Sequence, residues 1–139
     1  MTAKEYLSRY RALNSRIECK TDEIRHLREL ATRLSPTAMF DKNGNVSDKV
    51  GSAASRIVDL ERKIEGEASE LIAIRDEITG TISAVEDERL RELLTMRYIN
   101  GYGWQKIAFK MHFSRDHVVG YMHRRALKEI SKIIKVNTF

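Results

Sequence analysis

The 139-residue sequence is poor in residues that cross-link or break a chain, with one cysteine, one proline and seven glycines. Because Cys19 is the single cysteine, the chain can form neither an internal disulfide nor a cysteine metal cluster. Cys19 is therefore expected to be a reduced thiol in a cytoplasmic protein. No apolar run approaches the roughly 18 residues of a transmembrane helix, and the N-terminus lacks the apolar block of a signal peptide. The sequence therefore predicts a cytoplasmic protein with no membrane partner.

Charge is balanced over the first part of the chain and strongly positive over the last. Residues 1–86 contain 14 Lys and Arg against 15 Asp and Glu, whereas residues 87–139 contain 11 against 5. An excess confined to one end indicates a polyanionic partner there, because basic side chains release phosphate counterions and steer encounter. A solvated basic face without a partner is the alternative.

Two long segments carry apolar residues at alternating intervals of four and three, the spacing of a coiled-coil seam. A loop is predicted at residues 35–52, between the segments, because Pro36 disfavours helix at the residue before it and Asn43-Gly44 favours a turn. The pattern predicts an antiparallel coiled-coil hairpin over residues 1–86. The first seam is Tyr6, Tyr10, Leu13, Ile17, Lys20, Ile24, Leu27, Ala31 and Leu34, and the second is Ala53, Ile57, Leu60, Ile64, Glu67, Leu71, Ile74, Ile78, Thr81 and Val85.

A seam between only two helices is narrow, which predicts that two hairpins form a homodimer. An intramolecular hairpin without a partner is the alternative. The residues expected to form the oligomer interface are Tyr10, Leu13, Ile17, Ile24, Leu27, Ile57, Leu60, Ile64, Leu71 and Ile74.

The stretch from Trp104 to Ile130 has the spacing of a helix-turn-helix followed by a basic helix. Two short helices that cross steeply need a small residue at their contact, here Ala108, with apolar neighbours at set intervals. Those neighbours are Ile107, Met111, Phe113, Val118 and Tyr121. A helical corner in an unrelated all-α core is the alternative.

A support helix is expected before this motif. Asp87 is a favoured N-cap, and Asn100 to Gly103 carry turn residues that end the helix. The expected core of this small domain is Leu90, Leu94, Tyr98, Ile107, Val118 and Tyr121. The sequence thus predicts an all-α protein, with a long antiparallel coiled-coil hairpin followed by a C-terminal three-helix helix-turn-helix domain over residues 87–139.

The second helix of a helix-turn-helix contacts bases through its first turns, on the face away from the packed residues. Arg115 is the first candidate for a guanine, whose O6 and N7 match the guanidinium fork, with phosphate as its other target. Ser114 is expected to cap the helix, with a phosphate contact as its alternative role, and Asp116 to accept from cytosine or to position Arg115. The expected DNA-contacting residues are Gln105, Lys106, Ser114, Arg115, Asp116, Val119, Gly120, His123, Arg124, Arg125 and Lys128.

Patterns for other chemistry are weak. His112, His117 and His123 have no cysteine or carboxylate at metal-ligand spacing, so no metal site and no cofactor are expected. The sequence has no phosphate-binding glycine loop and no catalytic constellation, which predicts that the protein is not an enzyme.

The end of the chain resembles region 4 of bacterial sigma factors through Leu94, Arg97-Tyr98, Ile107-Ala108, Ser114, Val118 and Arg125-Ala126-Leu127. Most of the chain is similar to a phage family of Gram-positive bacteria grouped with ArpU-type and RinA-type late transcription regulators. The matching motifs are Lys-Glu-Tyr-Leu (Lys4 to Leu7), Leu-Arg-Glu-Leu-Ala-Thr (Leu27 to Thr32) and Ile-Val-Asp-Leu-Glu (Ile57 to Glu61). The resemblance implies a phage-derived, sequence-specific regulator of late gene expression, with double-stranded DNA as partner and RNA polymerase as a further candidate.

Two positions depart from the sigma pattern. His112 stands where the turn usually has glycine, which predicts a histidine in strained or left-handed backbone. Val119 and Gly120 replace polar residues of the sigma recognition face, so the promoter specificity of sigma factors is not implied. Two other functions fit the same features: a small terminase subunit, which predicts an oligomer larger than a dimer, and a coiled-coil protein that binds a host factor, which predicts no salt-sensitive DNA binding.

Overall fold

The computed structural model describes residues 1–33 and 48–137, and every regular element in those ranges is helical. The all-α prediction is therefore confirmed. Two π-helical turns accompany the α-helices: Thr95–Ile99 continues α3, and Val118–Met122 joins α5 to α6. The α-helices are α1 (Ala3–Arg33), α2 (Asp48–Ser83), α3 (Glu88–Leu94), α4 (Trp104–Met111), α5 (Arg115–His117) and α6 (His123–Asn137).

Helix α2 begins inside the loop that the sequence predicts at residues 35–52. Helix α2 begins at Asp48, so residues 48–52 belong to the helix rather than to the loop. The rest of the predicted loop, and the last residue of the first seam, lie outside the described residues. Within the described ranges, no helix is both long enough and apolar enough to span a membrane.

Residues 14–70 form one compact unit, in which α1 and α2 run antiparallel. Arg28 pairs with Glu61 at 2.8 Å, and Lys20 pairs with Glu67, so that low residue numbers on α1 meet high numbers on α2. The seam residues that the heptads predict are buried or half-buried here, whereas the positions between them are mostly exposed. Hydrophobic periodicity alone therefore identified the packed side of each helix.

Met1–Leu13 and Leu71–Phe139 form the second compact unit. Its core includes Leu7 of α1 and Ile78 of α2 beside Leu93 of α3, and the Tyr6 hydroxyl hydrogen-bonds the Thr81 hydroxyl at 2.8 Å. The predicted boundary between residues 86 and 87 falls inside this unit. The buried core is Ala3, Leu7, Ile78, Ile82, Val85, Leu90, Leu93, Leu94, Tyr98, Ile107, Ala108, Val118, Met122, Ala126 and Ile130.

The support helix begins at its predicted cap. The Asp87 carboxylate accepts hydrogen bonds from the backbone N–H groups of Arg89 and Leu90, at 2.9 and 3.3 Å. The helix ends in the first π-turn, after which Gly101 adopts a φ of +73°, a conformation that glycine tolerates without steric cost. The Tyr102 N–H then donates to the Met96 carbonyl at 2.9 Å, which closes the turn before α4.

The helix-turn-helix corner also follows the predicted local chemistry. His112 is the C-cap of α4, with φ 62° and ψ 36° in the left-handed region, so the expected left-handed histidine is confirmed. The Phe113 N–H donates to the Ala108 carbonyl at 3.1 Å, and the Ser114 hydroxyl accepts from the His117 N–H at 3.1 Å. Ser114 is thus the N-cap of α5, as predicted.

The second π-turn changes which residues of the last helix are buried. The His123 N–H donates to the carbonyl of Val118, five residues earlier rather than four, and this extra residue rotates the chain that follows. The buried positions are Val118, Met122, Ala126 and Ile130. Tyr121 was predicted in this core, and that prediction is wrong, because Tyr121 is 52% exposed and Met122 takes its place.

Candidate nucleic-acid interface

The C-terminal helical run (residues 115–137) consists of α5, the second π-turn and α6, and it carries most of the predicted contact residues on its exposed side. Val119 is the one predicted contact of the π-turn that is half-buried. The Ser114 hydroxyl just before the run already caps α5, which leaves its second lone pair for other partners. The predicted contacts that are exposed in this run and directly before it are Ser114, Arg115, Asp116, Gly120, Arg124, Arg125 and Lys128.

Four of these residues form a line along the run, which we call the central row: Asp116, Gly120, Arg124 and Lys128. They are spaced four apart, and residues four apart lie above one another on a helix. Arg124 and Lys128 make no ion pair with any residue that the structure describes, nor does Arg115 at the start of the run. Three cationic side chains are therefore available to an external anion.

A second line, which we call the aromatic row, runs beside the first and consists of Phe113, His117, Tyr121 and Arg125. The His117 ring lies 5.0 Å from the Phe113 ring and 5.3 Å from the Tyr121 ring, centroid to centroid. The Arg125 guanidinium lies 5.5 Å from the Tyr121 ring centroid. Sequence reasoning assigned neither His117 nor Tyr121 to the interface, although the regular spacing of four between these residues was a visible signal.

The aromatic row also receives a cation from the support helix. The Arg89 guanidinium of α3 lies 5.4 Å from the Phe113 ring centroid, within the range of a cation–π contact. Arg89 is exposed and was not among the predicted contacts, because no sequence pattern connects α3 to the turn before α5. Fold geometry thus adds one cation at the N-terminal end of the interface.

His123 is not part of the exposed surface, and its predicted position on the DNA-facing side is wrong. It is 9% exposed, its Nε2 atom shares a 2.7 Å hydrogen bond with the Tyr98 hydroxyl, and its ring centroid lies 4.5 Å from that of Trp104. Burial, with Lys4 and Arg97 as further causes, lowers the pKa of His123 to about 4. The second π-turn explains the burial of His123, because its added residue turns this side chain from the exposed side toward the core.

The exposed side of α4 carries the remaining predicted contacts. Gln105 and Lys106 are both exposed at the start of the helix. The Lys106 ammonium lies 3.9 Å from the Tyr102 ring centroid, which holds this cation against the turn. Phe109 on the same helix is 81% exposed and was not singled out by the sequence.

Other chemistry has little support in the described ranges. No group of three or more His, Cys, Asp and Glu side chains is placed to hold a metal ion.

Three of the predicted oligomer-interface residues, Leu13, Ile24 and Leu60, are buried within the single chain. The others are half-buried: Tyr10, Ile17, Leu27, Ile57, Ile64, Leu71 and Ile74.

A protein-family model described as "Protein of unknown function (DUF1492)" matches residues 34–131 of the chain. The matched range contains the helix-turn-helix and every residue of the two rows described above. No curated protein and no solved structure matches the chain.

Proposed function

Since the chain belongs to the DUF1492 family, whose description states no function, we propose from its geometry that it binds double-stranded DNA in a sequence-specific manner. The C-terminal helical run enters the major groove, and α4 lies across the phosphate backbone. The observation that carries this proposal is the pair of rows, with the unpaired cations Arg115, Arg124 and Lys128 exposed along a helical run whose start is capped. A helix docks in this way because the major groove admits its full width.

Each exposed side chain has a role that its chemistry suits. Arg115 reads a guanine, because its fork presents two donors to O6 and N7, and Asp116 accepts from a cytosine amine or orients Arg115. Cations further along the run, together with Gln105 and Lys106 on α4, contact phosphates, which sets the register on the duplex without conveying sequence.

The biological role that we propose is regulation of late gene expression from a phage genome in the bacterial cytoplasm, with RNA polymerase as a second partner. The resemblance of the C-terminal unit to sigma region 4 supports this role, as does the similarity of the chain to ArpU-type and RinA-type regulators. DNA packaging by a terminase would use the same interface on a different site, so the identity of the bound sequence decides between the two.

We further propose that the protein acts as a homodimer that presents two DNA-binding heads. Seven seam residues remain half-buried in the single chain, and Leu30 and Val58 are 54% and 46% exposed. A second hairpin would remove this apolar surface from water, which contributes about 25 cal/mol per Å². Two heads bind two half-sites, as other helix-turn-helix dimers do.

The test is to recover DNA fragments of host and phage genomes with the purified full-length protein, at about 0.15 M salt so that weak phosphate contacts are screened, and to sequence them. Enrichment upstream of a late operon supports a transcription regulator, and enrichment at a packaging site supports the terminase role. Arg115→Ala should lose the enrichment while retaining helicity and residual DNA affinity. An enrichment profile equal to that of the input DNA would contradict sequence-specific binding.

A further inference from the structure

The middle of the C-terminal helical run carries two apolar side chains, Tyr121, which is exposed, and Val119, which is half-buried. Val119, Gly120 and Tyr121 occupy the middle of the second π-turn, between Arg115 and Asp116 on one side and Arg124 and Arg125 on the other. Neither Val119 nor Tyr121 belongs to the buried core or to the partly buried residues that pack against it. The core therefore does not account for these apolar side chains on the described surface.

The Tyr121 ring is held in one place although it is 52% exposed. His117 lies one turn before it, with ring centroids 5.3 Å apart, and the Arg125 guanidinium lies one turn after it at 5.5 Å. Contacts on both sides restrict the rotamers of the ring before any partner arrives, and this reduces the entropy lost on binding. The ring is thus an oriented apolar surface on a helical run that also carries the exposed cations Arg115, Arg124 and Lys128.

Gly120 has no steric requirement within the chain. A Cβ atom built at this position meets no heavy atom of the structure within 4 Å, and its φ is not positive. Glycine inside a helix is unfavourable by about 1 kcal/mol relative to alanine, so its presence on an exposed face suits close approach of the backbone to a partner. Val119 and Tyr121 precede and follow this glycine in the chain.

Among the base edges of the major groove, the C5-methyl group of thymine is the apolar one, and apolar side chains are what contact it. We infer that Val119 and Tyr121 flank the close approach at Gly120 and read thymine methyl groups at the centre of each half-site. This inference rests on the proposed DNA binding and specifies its substrate: duplex DNA with one or two thymines between the guanine read by Arg115 and the phosphates contacted by Arg124 and Arg125. The unpaired cations on both sides favour a polyanion here over an apolar protein segment.

The experiment selects a binding site from random duplex DNA with the full-length protein, and then replaces each thymine of that site in turn by deoxyuridine. The replacement removes one methyl group and keeps every donor and acceptor of the base pair. At one or two positions the affinity should fall by about fourfold, the value that corresponds to losing burial of one methyl-sized group. Wild-type protein that binds every deoxyuridine duplex as tightly as the thymine duplex would overturn the inference.

Variants assign the effect to the proposed side chains. For the thymine that each residue reads, Tyr121→Ala or Val119→Ala should bind the thymine duplex and the matching deoxyuridine duplex with equal affinity. Tyr121→Phe, which keeps the ring, should still bind the thymine duplex more tightly. Ile72→Ala, which truncates an exposed apolar side chain of α2, is the matched control and should behave as wild type. Discrimination that persists in both Tyr121→Ala and Val119→Ala would also overturn the inference. Failure of the proposed DNA binding can be distinguished from failure of this inference. Without DNA binding, the wild type would select no site from the random duplexes and would show no salt-dependent binding.

Discussion

At the scale of the residue, burial changes the chemistry of His123. It lies in the core between the Tyr98 hydroxyl and the Trp104 ring, and Arg97 lies 4.4 Å from the centroid of that same Trp104 ring. A histidine in this place remains neutral at physiological pH, because the core and the neighbouring cations both disfavour its charged form. His123 therefore connects the support helix to the last helix as a hydrogen-bonding core residue.

The buried His123 predicts an acid-sensitive fold. Its pKa is 6.5 in the unfolded chain and about 4 in the folded one, so the unfolded state binds the proton first as the pH falls. The stability contributed by neutral His123 is complete above about pH 6.5, and it is lost between about pH 6.5 and pH 4, by on the order of 3 kcal/mol. Urea unfolding at a series of pH values measures this loss.

A variant isolates the contribution of this side chain. His123→Gln retains a polar partner for Tyr98 but does not titrate, so its unfolding free energy should vary less with pH over the same range. Its affinity for DNA at neutral pH should equal that of wild type, because the side chain is buried. An unchanged pH profile in His123→Gln would mean that another group causes the acid sensitivity.

Gly120 predicts opposite effects on stability and on binding. Gly120→Ala should raise the free energy of unfolding by up to about 1 kcal/mol, because alanine is the better helix former and its Cβ meets no atom of the chain. The same substitution should weaken DNA binding, because the methyl group occupies the space that DNA approaches. Thermal unfolding and a DNA titration of the same sample measure the two effects.

Gly66→Ala is the matched control for this substitution. Gly66 lies inside α2, and a Cβ built there also meets no heavy atom within 4 Å. The control should be stabilised by a similar amount and should bind DNA as wild type does. If Gly120→Ala retained full DNA affinity, close approach at this residue would be excluded.

At the scale of the element, polar seam residues meet each other rather than an apolar partner. Lys20 of α1 and Glu67 of α2 form an ion pair in a largely apolar seam, with side chains 23% and 20% exposed. The Glu67 Oε2 atom is buried and has no hydrogen-bond partner among the described residues. Partial desolvation of both charges offsets much of their attraction, so the pair favours one register of the two helices more than it adds stability.

The Lys20–Glu67 ion pair predicts that a single and a double substitution change the free energy of unfolding differently. Lys20→Ala should lower the free energy of unfolding by about 1–3 kcal/mol, because it leaves the Glu67 carboxylate in the seam without its partner. Replacing both residues by leucine should restore or exceed the wild-type value, because two apolar side chains fit the seam without desolvation cost. Urea unfolding of the three proteins is the measurement.

An exposed ion pair on the same helix provides the control. Arg25 pairs with Asp22 at 3.2 Å, with both side chains more than half exposed. Arg25→Ala should change the free energy of unfolding by less than about 0.5 kcal/mol. A double leucine variant less stable than wild type would show that the ion pair stabilises the seam.

At the scale of the whole molecule, the uneven charge distribution predicts how binding depends on salt. Each phosphate contact adds roughly one to the slope of log affinity against log salt concentration. Arg124→Ala combined with Arg125→Ala should therefore flatten the slope by up to about 2. DNA titrations over a range of salt concentrations give the slope.

A pair of arginines outside the interface tests whether net charge alone explains the result. Arg16 and Arg62 are exposed in the unit of residues 14–70, and replacing both by alanine removes the same charge. This control should lower affinity slightly and leave the slope near that of wild type. Equal slopes in the two double variants would place the phosphate contacts elsewhere.

The proposed dimer is tested by molecular mass in solution. Light scattering should give twice the mass of one chain for wild type, and Leu27→Asp, at a half-buried seam position, should give one chain with its helicity retained. Ile24→Asp is a poor test on its own, because Ile24 is 6% exposed within the single chain and a charge there would unfold the hairpin. A monomeric wild type would contradict the dimer, and a larger ring would favour the terminase role.

Sequence by itself determined the features that depend on neighbouring residues. The heptad intervals specified the packed side of α1 and α2, because apolar burial follows the helical period. Asp87 and Ser114 specified two helix starts, because their side chains accept from backbone N–H groups two or three residues away. The left-handed His112 followed from the resemblance to sigma region 4, because the turn of that pattern usually has glycine at this position.

Tertiary structure alone decided which side of the last helix is exposed. A π-turn differs from an α-turn by a single shift in backbone hydrogen bonding, and no interval in the sequence shows where that shift occurs. Whether His123 is buried depends on Tyr98, which is 25 residues away in sequence, and on Trp104. The packing of these side chains turned His123 inward and Tyr121 outward, and so exposed an aromatic ring that the sequence had predicted in the core.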